Sequence, residues 1–405
     1  MDSQKHKHER ITRINSRVGR DINRSIILNS VRQHQPVSRT RLSDITRLNK
    51  STVSSIVSTL LDENLLEESP DRGQSIGRNP LNLSIKQGQH YVGAIFFDAP
   101  CTRVAIVDID GTIKARDEIW TNATTPEALV SQAIDRLNVL RSRLGAHRFR
   151  GIGASVAGIV DSTQMQVLYS VNLHWEHVNL GNIIHEKIPG LEMVSVENDA
   201  KASALAELLL GSHRFSSANL VFLSLGLGIG AGVVVHGRIL SGSTHAAGEI
   251  GHMTIVDGGE PCHCGSTGCW ELYASERAPV RAFIDMKKSA VDQQTPPSLS
   301  DLFQAARTGD EDSRTVLRQW AQHIGVGIGN MISLFDPDVV IVGGQITHVW
   351  DIVSQDISDA AHGPGVFARQ RKATILPTSL SDNPPLLGAA ALSIRRIFKD
   401  FSISL

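Results

Sequence analysis

The chain has 405 residues, of which 41% are hydrophobic and 20% charged, and its formal net charge is −1. This balance excludes a disordered, collagen-like or disulfide-framework protein and predicts about two or three globular domains. The apolar runs are far shorter than the ~20 residues that span a bilayer, and residues 1–10 lack the apolar core of a signal peptide. We therefore expect a cytoplasmic protein.

The charge is concentrated at one end of the chain. Residues 1–60 hold 12 Lys and Arg against four Asp and Glu, a net charge of +8, so the remaining 345 residues carry −9. A basic head on an acidic body favours a polyanion as the partner of the head alone. A solvated basic tail is the alternative interpretation.

The N-terminal region predicts three helices and a β-wing. The first helix ends before Pro36 and carries one apolar stripe, formed by Ile22, Ile26, Ile27 and Val31. Ser38 and Asn49 are suited to cap the second and third helices, which are joined by a tight turn at Thr46–Leu48. The third helix has apolar residues at i, i+3, i+4, i+7 and i+8: Val53, Ile56, Val57, Leu60 and Leu61.

The opposite face of the third helix is polar and slim, as a helix that enters the major groove of DNA must be. Strands around Leu66 and Leu81–Ile85 predict the wing, whose turn would place an arginine in the minor groove. We expect DNA contacts from Arg39, Arg41, Arg47, Lys50, Ser51, Thr52, Ser54, Ser55 and Arg78. A small helical dimerisation domain is the alternative. The predicted boundaries are a basic arm at 1–20 and a winged helix-turn-helix domain at 21–86.

Residues 87–405 predict two similar halves, each a β-hairpin followed by helices and further strands. The first half comprises Tyr91–Phe97, Arg103–Asp110, Pro126–Leu144, Gly151–Val156, Met193–Val196 and Ala200–Leu210. The second half comprises Leu220–Leu225, Ala231–Val235, Glu311–Phe335 and Val339–Val342. This pattern predicts a two-lobed α/β body with a cleft, the lobes spanning roughly 87–200 plus the C-terminal helix, and 201–390.

Three cysteines and a histidine predict a metal centre. His252 precedes Cys262, Cys264 and Cys269, and three thiolates with one imidazole suit a closed, structural Zn²⁺ site. Gly265 and Gly268 would let the chain fold back to bring in the last cysteine. His263 is the alternative ligand, although a residue between two ligands is expected to point away. Three buried free thiols are the other interpretation.

The same segment resembles the signature of the ROK family (repressors, open reading frames, kinases). Ala247–His252, the three cysteines and Cys269-Trp270-Glu271 resemble its metal segment, and Val196–Ala200 resembles its sugar-binding segment. With a winged helix in front, the chain is similar to the repressor branch. The resemblance implies an actin-like and hexokinase-like (ribonuclease H-like) fold. It also implies sugar contacts from Asn198, Asp199, Glu249, His252 and Glu271.

In the family's kinases, Asp199 would be the general base that accepts the proton of a sugar hydroxyl. Phosphoryl transfer also needs a cradle of backbone amides, for which the kinase pattern is Asp-x-Gly-Gly-Thr. Here the first hairpin has Asp98-Ala99-Pro100 instead, and Pro100 has no amide proton. The second glycine-rich turn has Leu227 where kinases usually have Thr. We therefore expect no efficient use of ATP.

The sequence thus predicts a sugar-responsive regulator that represses genes for carbohydrate uptake or catabolism. Its expected partners are double-stranded operator DNA, a sugar or sugar-phosphate effector, and a second copy in a homodimer or homotetramer. Two alternatives stay open. One is an active sugar kinase with a DNA-binding head. The other is a regulator controlled by a transport-system protein, with a vestigial cleft.

Overall fold

The computed structural model describes residues 16–70, 81–121, 125–145, 148–213, 219–287, 296–363, 373–380 and 383–398. These residues divide into two compact units. The first unit, the head, holds the described residues up to Gln89 together with Arg396–Phe398. The second unit, the body, spans His90–Arg395. The end of the last helix therefore belongs to the head, whereas the sequence had placed the whole C-terminal helix in a lobe of the body.

The head contains the three predicted helices: α1 (Ser16–His34), α2 (Arg39–Thr46) and α3 (Lys50–Asp62). The predicted caps are confirmed, since the Ser38 hydroxyl accepts the amide of Arg41 at 3.2 Å and the Asn49 side chain accepts that of Thr52 at 2.8 Å. Helix α1 begins at Ser16, so residues 16–20, which the sequence assigned to the basic arm, are helical. The chain turns between α2 and α3 through Arg47, which has φ 58°.

The apolar stripe of α3 is buried at Val53, Ile56, Val57 and Leu60 but only half-buried at Leu61, and that of α1 is shifted by one position. Ile26 is 39% exposed, whereas Ile27, Leu28 and Val31 are buried. Ile27 and Val31 are separated by four residues and Leu28 and Val31 by three, so these side chains form one helical face. The buried face therefore excludes Ile26, which the sequence had included.

A small antiparallel sheet completes the head. Its strands are β1 (Val37–Ser38), β2 (Leu66–Pro70) and β3 (Leu81–Ile85), in the order β1-β3-β2. The two strands predicted for the wing are confirmed. The strand β1 is additional, because a strand of two residues is too short to show an alternating sequence pattern. The turn between β2 and β3, including Arg78, lies outside the described residues.

The first lobe of the body is a five-stranded sheet in the order β11-β7-β4-β5-β6. Its strands are β4 (Tyr91–Phe97), β5 (Cys101–Asp108), β6 (Ile113–Trp120), β7 (Phe149–Val156) and β11 (Val194–Asn198). The helices α4 (Pro126–Leu144) and α5 (Leu180–Lys187) accompany it. An unpredicted three-stranded sheet follows β7 and consists of β8 (Ile159–Asp161), β9 (Gln166–Ser170) and β10 (Trp175–Val178).

The second lobe repeats this topology with the order β14-β13-β12-β15-β16. Its strands are β12 (Leu220–Leu225), β13 (Ile229–Val235), β14 (Arg238–Ile239), β15 (Val339–Gly343) and β16 (Thr374–Pro377). Its helices are α7 (Trp270–Ala274), α8 (Arg277–Met286), α9 (Leu299–Thr308), α10 (Glu311–Phe335) and α11 (Trp350–His362). In both sheets three antiparallel strands are followed by two parallel ones, so the predicted duplication of an α/β unit is confirmed.

Two helices, α6 (Asp199–Leu210) and α12 (Pro384–Phe398), pack closely against these sheets. A Cβ atom on Gly153 of β7 would lie 1.7 Å from the carbonyl oxygen of Ala389 in α12. A Cβ atom on Gly232 of β13 would lie 2.3 Å from the carbonyl oxygen of Ala200 in α6. The absence of side chains at these glycines therefore permits the close helix–sheet approach.

The far end of α6 is fixed by a buried carboxylate. Glu207 is 1% exposed and accepts hydrogen bonds from the Thr378 hydroxyl and from the backbone amide and hydroxyl of Ser379, the last two at 3.0 and 2.9 Å. These contacts tie α6 to the segment that follows β16. No helix in the described ranges is long and apolar enough to cross a membrane.

Candidate functional site

The predicted metal ligands converge in the second lobe. A 3-10 helix at Ile250–His252 positions the histidine, and Cys269 stands at the N-terminus of α7. The four ligand atoms of His252, Cys262, Cys264 and Cys269 lie within 4.8 Å of one another. The Cys264 and Cys269 sulfurs are 3.6 Å apart, and the Cys262 sulfur lies 3.8 Å from Nδ1 of His252. Zn–S bonds of about 2.3 Å in a tetrahedron give S···S edges of about 3.8 Å, so the four residues fit zinc.

The loop that carries the cysteines depends on its glycines. Gly265 and Gly268 have φ values of 90° and 67°, which side chains rarely adopt. A Cβ atom on Gly268 would also lie 1.8 Å from the carbonyl oxygen of Val256. The predicted reversal of the chain before Cys269 is therefore confirmed.

Two of the three thiols lie in an environment that disfavours their charge unless a cation is present. The exposed Cys264 differs, because a hydrogen bond from the backbone of Ser266 lowers its pKa. Burial, followed by the neighbouring thiols, raises the pKa of Cys269 to about 12. Burial also raises the pKa of Cys262. A divalent cation reverses this preference, because a coordinating thiol loses its proton. The donor set is thus suited to a metal ion rather than to three free thiols.

His263 does not point away from this cluster, contrary to expectation. Its Nδ1 lies 3.7 Å from the Cys262 sulfur and 3.3 Å from Oε1 of Glu271. The imidazole is 5.5 Å from that of His252 between ring centroids. The four-residue group within 4.8 Å contains His252, and His263 instead groups with His252 and Glu271.

The predicted sugar-binding residues begin where β11 meets α6. The Asn198 side chain accepts the amide of Lys201 at 3.0 Å, which caps the helix, and its Nδ2 donates to the carbonyl of Gly158 and to Oδ1 of Asp199, both at 2.9 Å. Burial, followed by repulsion from Asp98, raises the pKa of Asp199 to about 7. The hydrogen bond from Nδ2 of Asn198 holds the Asp199 side chain in a defined rotamer.

Asp98 is the residue that sequence reasoning placed in the wrong context. It was considered only as part of a degenerate phosphate-binding hairpin, but its charge is close enough to influence Asp199. Its Oδ1 accepts the side-chain amide of Asn172 at 3.0 Å, and burial raises its pKa. Asn172 belongs to a segment of polar and aromatic residues, Asn172–Trp175, and this composition was the available signal.

Glu249 and Glu271 come from the second lobe. Glu249 is exposed to solvent, yet the partial desolvation of its carboxylate raises its pKa. The Glu271 side chain is 11% exposed, and its Oε1 lies 3.9 Å from Nδ1 of His252. A Cβ atom on Gly228 would lie 3.3 Å from Oε2 of Glu271. Glu271 thus stands between the metal cluster and the β12–β13 turn.

Both turns that would face a nucleotide have backbone atoms engaged in hydrogen bonds. In the β4–β5 turn, Thr121 donates its amide to the carbonyl of Pro100 at 2.8 Å and its hydroxyl to that of Asp98 at 2.6 Å. In the β12–β13 turn, Gly226 donates its amide to the carbonyl of Gly228 at 3.0 Å. Leu227, at the tip of that turn, is 52% exposed.

The predicted DNA-contacting residues cluster around the N-terminus of α3. Lys50, Ser51 and Ser55 are exposed, and so are Arg41 and Arg47 beside them. Thr52 and Ser54 are half-buried. Arg39 differs from the others, because its guanidinium forms an ion pair with Glu68 of β2 at 2.8 Å.

Comparisons with known proteins match both units. The xylose repressor of Bacillus spizizenii is 30% identical over 377 residues, covering 92% of this chain and 95% of that protein. The glucokinase of Streptomyces coelicolor is 31% identical over 307 residues, covering 72% of this chain and 94% of that protein.

Solved structures agree with the fold. A ROK family transcriptional regulator described as a homologue of the Escherichia coli MLC protein has a TM-score of 0.78 at 24% identity, covering 93% of this chain and 96% of that one. A ROK family glucokinase from Streptomyces griseus, in complex with glucose and AMPPNP, has a TM-score of 0.62 at 29% identity, covering 75% of this chain and 98% of that one. The family model "ROK family" matches residues 99–396. The chain therefore belongs to the ROK family.

Proposed function

We propose that this protein is a sugar-responsive transcriptional repressor that binds operator DNA through its head and a sugar through its body. One observation carries this proposal. The match to a xylose repressor covers 92% of the chain, so it must extend beyond the family segment 99–396 into the head, whereas the glucokinase match covers 72%. A head shared with repressors on a body shared with sugar kinases supports a regulator.

The head has the arrangement of a winged helix-turn-helix, in which α3 enters the major groove of DNA. Short hydroxyl side chains such as Ser51 and Ser55 can approach base edges, and Lys50, Arg41 and Arg47 can reach phosphates. Arg39 is held against the wing by Glu68, so it would contact DNA from a fixed position.

The body offers a sugar an array of oriented acceptors. Asp98, Asp199, Glu249 and Glu271 present carboxylate oxygens, which accept hydrogen bonds from sugar hydroxyls. Asn198 donates to Asp199, which leaves the carboxylate oriented before any ligand arrives. His252 would bind the metal through Nδ1 and present its second ring nitrogen to the sugar.

We propose that the four-residue cluster holds structural Zn²⁺. When bound, zinc would cross-link the cysteine loop to the 3-10 helix without an open position for a catalytic water. His252, Cys262, Cys264 and Cys269 are the residues that would hold it. Their role is to fix the loop from which Glu249 and Glu271 reach the sugar.

A sugar kinase is the second candidate, and a pKa near 7 for Asp199 would suit a general base. The two turns argue against it, because Pro100 has no amide proton to offer a phosphate and the amide of Gly226 is already bonded within its own turn. We expect no ATP-dependent sugar phosphorylation, measured by release of ADP with a panel of hexoses and pentoses. Turnover at a rate typical of kinases would reverse this assignment.

A symmetric dimer, alone or within a tetramer, would place two α3 helices in successive major grooves, so the operator should be palindromic. Sugar would favour one arrangement of the lobes and thereby change the DNA-binding population. Control of operator binding by a transport-system protein, in place of a sugar, is a further candidate. Capture of an operator is expected in that case as well.

The test is capture of genomic DNA fragments by the purified protein, with and without a panel of sugars. Enrichment of a palindromic site and its release by one sugar would support both halves of the proposal. Absence of any enriched fragment at moderate salt would contradict the role of the head.

The same operator then tests α3 directly. In the proposed dimer, Lys50→Ala should weaken operator binding about tenfold or more and lower the slope of log K against log salt by about two, because one phosphate contact is lost at each half-site. Arg143→Ala, at an exposed site in the last turn of α4, is the matched control and should change neither quantity.

A further inference from the structure

His263, which lies between the first two cysteines of the metal cluster, faces Glu271, one of the predicted sugar-binding residues. His263 places Nδ1 3.3 Å from Oε1 of Glu271. Its own side chain is 60% exposed, whereas that of Glu271 is 11% exposed. The same Nδ1 lies 3.7 Å from the Cys262 sulfur. One imidazole nitrogen therefore lies between a buried carboxylate and a metal-binding thiolate.

The charges at this point explain why a donor is needed. Oε1 of Glu271 is 3.7 Å from the Cys262 sulfur. Three thiolates around a divalent ion leave a net charge of about −1, and a carboxylate at this distance is repelled, most strongly where water is excluded. His252 relieves little of this repulsion once its Nδ1 is directed to the metal. His263 is the remaining positively polarised group in contact with Oε1 among the described residues.

The other oxygen of Glu271 is directed elsewhere. Oε2 lies beside Gly228, where a Cβ atom would be only 3.3 Å away, so it faces the β12–β13 turn at the edge of the proposed sugar site. A carboxylate held at Oε1 therefore has its second oxygen free to meet a sugar hydroxyl in a fixed direction.

We infer that His263 is a positioning residue for sugar recognition, which anchors Oε1 of Glu271 and so directs Oε2 to the ligand. This inference rests on the proposed function. It requires that His263 is not itself a metal ligand, and the grouping of the four metal-binding atoms around His252 supports that division of roles.

The first test needs no sugar. Crystal structures of the zinc-bound full-length protein are compared with those of His263→Ala and His263→Asn. In His263→Ala the Glu271 carboxylate should move by more than about 1 Å, because Oε1 has lost its contact with Nδ1 of His263. In His263→Asn it should stay in place, because the Asn amide nitrogen occupies nearly the position of Nδ1. An unmoved carboxylate in His263→Ala would overturn the inference even if the protein bound no sugar.

The second test measures metal and sugar separately. Zinc content, by inductively coupled plasma mass spectrometry, should be equal in the parent protein and both variants. The Kd of the sugar found by operator release should rise roughly fivefold in His263→Ala and recover in His263→Asn, as expected for one half-exposed polar contact. His185→Ala, at an exposed site on α5, is the control and should leave the Kd unchanged.

Loss of zinc in His263→Ala would make His263 a ligand and overturn the positioning role. Equal Kd values in the parent and His263→Ala would do the same. A parent protein that binds no sugar would instead contradict the proposed function, and the displacement of Glu271 would still decide the inference.

Discussion

Around Asp199, polar side chains are held by other polar side chains: Asn198 donates to Asp199, Asn172 donates to Asp98, and His263 contacts Glu271. At the two turns that would face a nucleotide, the bonded groups of the turn are backbone atoms instead. Thr121 closes one turn, and Gly226 and Gly228 close the other.

The difference between these two regions shows how a body similar to that of sugar kinases can keep sugar recognition without phosphoryl transfer. Sugar recognition needs side-chain oxygens fixed in advance, and these contacts persist whether or not a reaction follows. Phosphoryl transfer needs unpaired backbone amides around a highly charged group. In the proposed regulator, turn residues such as Pro100 and Leu227 would remove the second property, while the side chains around Asp199 would keep the first.

The largest expected effect sharpens the claim that the sugar-facing side depends on the metal cluster. Cys264→Ser should lose zinc and lower the free energy of unfolding by at least about 4 kcal/mol, with poor soluble yield. Metal analysis and urea denaturation provide the measurement. Cys101→Ser, which changes the cysteine outside the cluster, should retain the metal, and full zinc occupancy in Cys264→Ser would refute the ligand assignment.

Asp199→Ala tests the sugar-facing side itself. Loss of a half-buried carboxylate that is proposed to accept sugar hydroxyls should weaken sugar binding by about 100-fold or more, because the hydroxyls would be left unpaired. Calorimetric titration gives the Kd, and operator affinity without sugar should be unchanged. Asp135→Ala, at an exposed site on α4, is the control. A normal response of Asp199→Ala to its sugar would break the assignment of this side.

The pH dependence of stability tests whether Asp199 is as desolvated as the structure indicates. Because its pKa is raised from 3.8 to about 7, the folded protein keeps a proton between these values that the unfolded chain releases. Its contribution to the free energy of unfolding therefore falls as the pH rises through this window. We therefore compare the free energies of unfolding of Asp199→Asn and the parent by urea denaturation. The difference should favour the variant by roughly 2 kcal/mol more at pH 8 than at pH 5. A difference that does not vary with pH would contradict the raised pKa.

The smallest effect is expected on the nucleotide-facing side. Leu227 is 52% exposed, so Leu227→Thr should change stability by less than about 0.5 kcal/mol and sugar affinity by less than about twofold. It should not create ATP turnover, because Pro100 still leaves the first turn without an amide donor. ATP-dependent sugar phosphorylation by this variant would show that the nucleotide-facing side is nearer to a working kinase site than its hydrogen bonds indicate.

Much of the body follows from local sequence signals. The bounds of β4, α4, β12 and α10 are those predicted, because each segment combines an unbroken apolar pattern with a clear start or stop. Thr125 caps α4 and Asp336 ends α10 in a left-handed conformation, for example.

Other features depend on contacts that no local pattern encodes. The short strands β8, β9 and β10 are defined by pairing with one another, and β1 consists of two residues that pair with β3. Ile26 has the same hydrophobicity as Ile27, and only the packing of the head separates them. The neighbourhood of Asp98 and Asp199 likewise arises from the parallel alignment of β4, β7 and β11, which brings distant chain segments together.

Helix α6 has a mechanical consequence. Its first residue, Asp199, belongs to the proposed sugar site, and Glu207 near its other end is bonded to Thr378 and Ser379. A helix of 12 residues spans about 18 Å and resists bending, so it behaves as a stiff rod with one end in the ligand site. A tilt imposed on Asp199 by a bound sugar would be carried along this rod to Thr378 and Ser379, which precede α12 in the chain. The proposed sugar site and the segment before the final helix are thus the two ends of one rigid element.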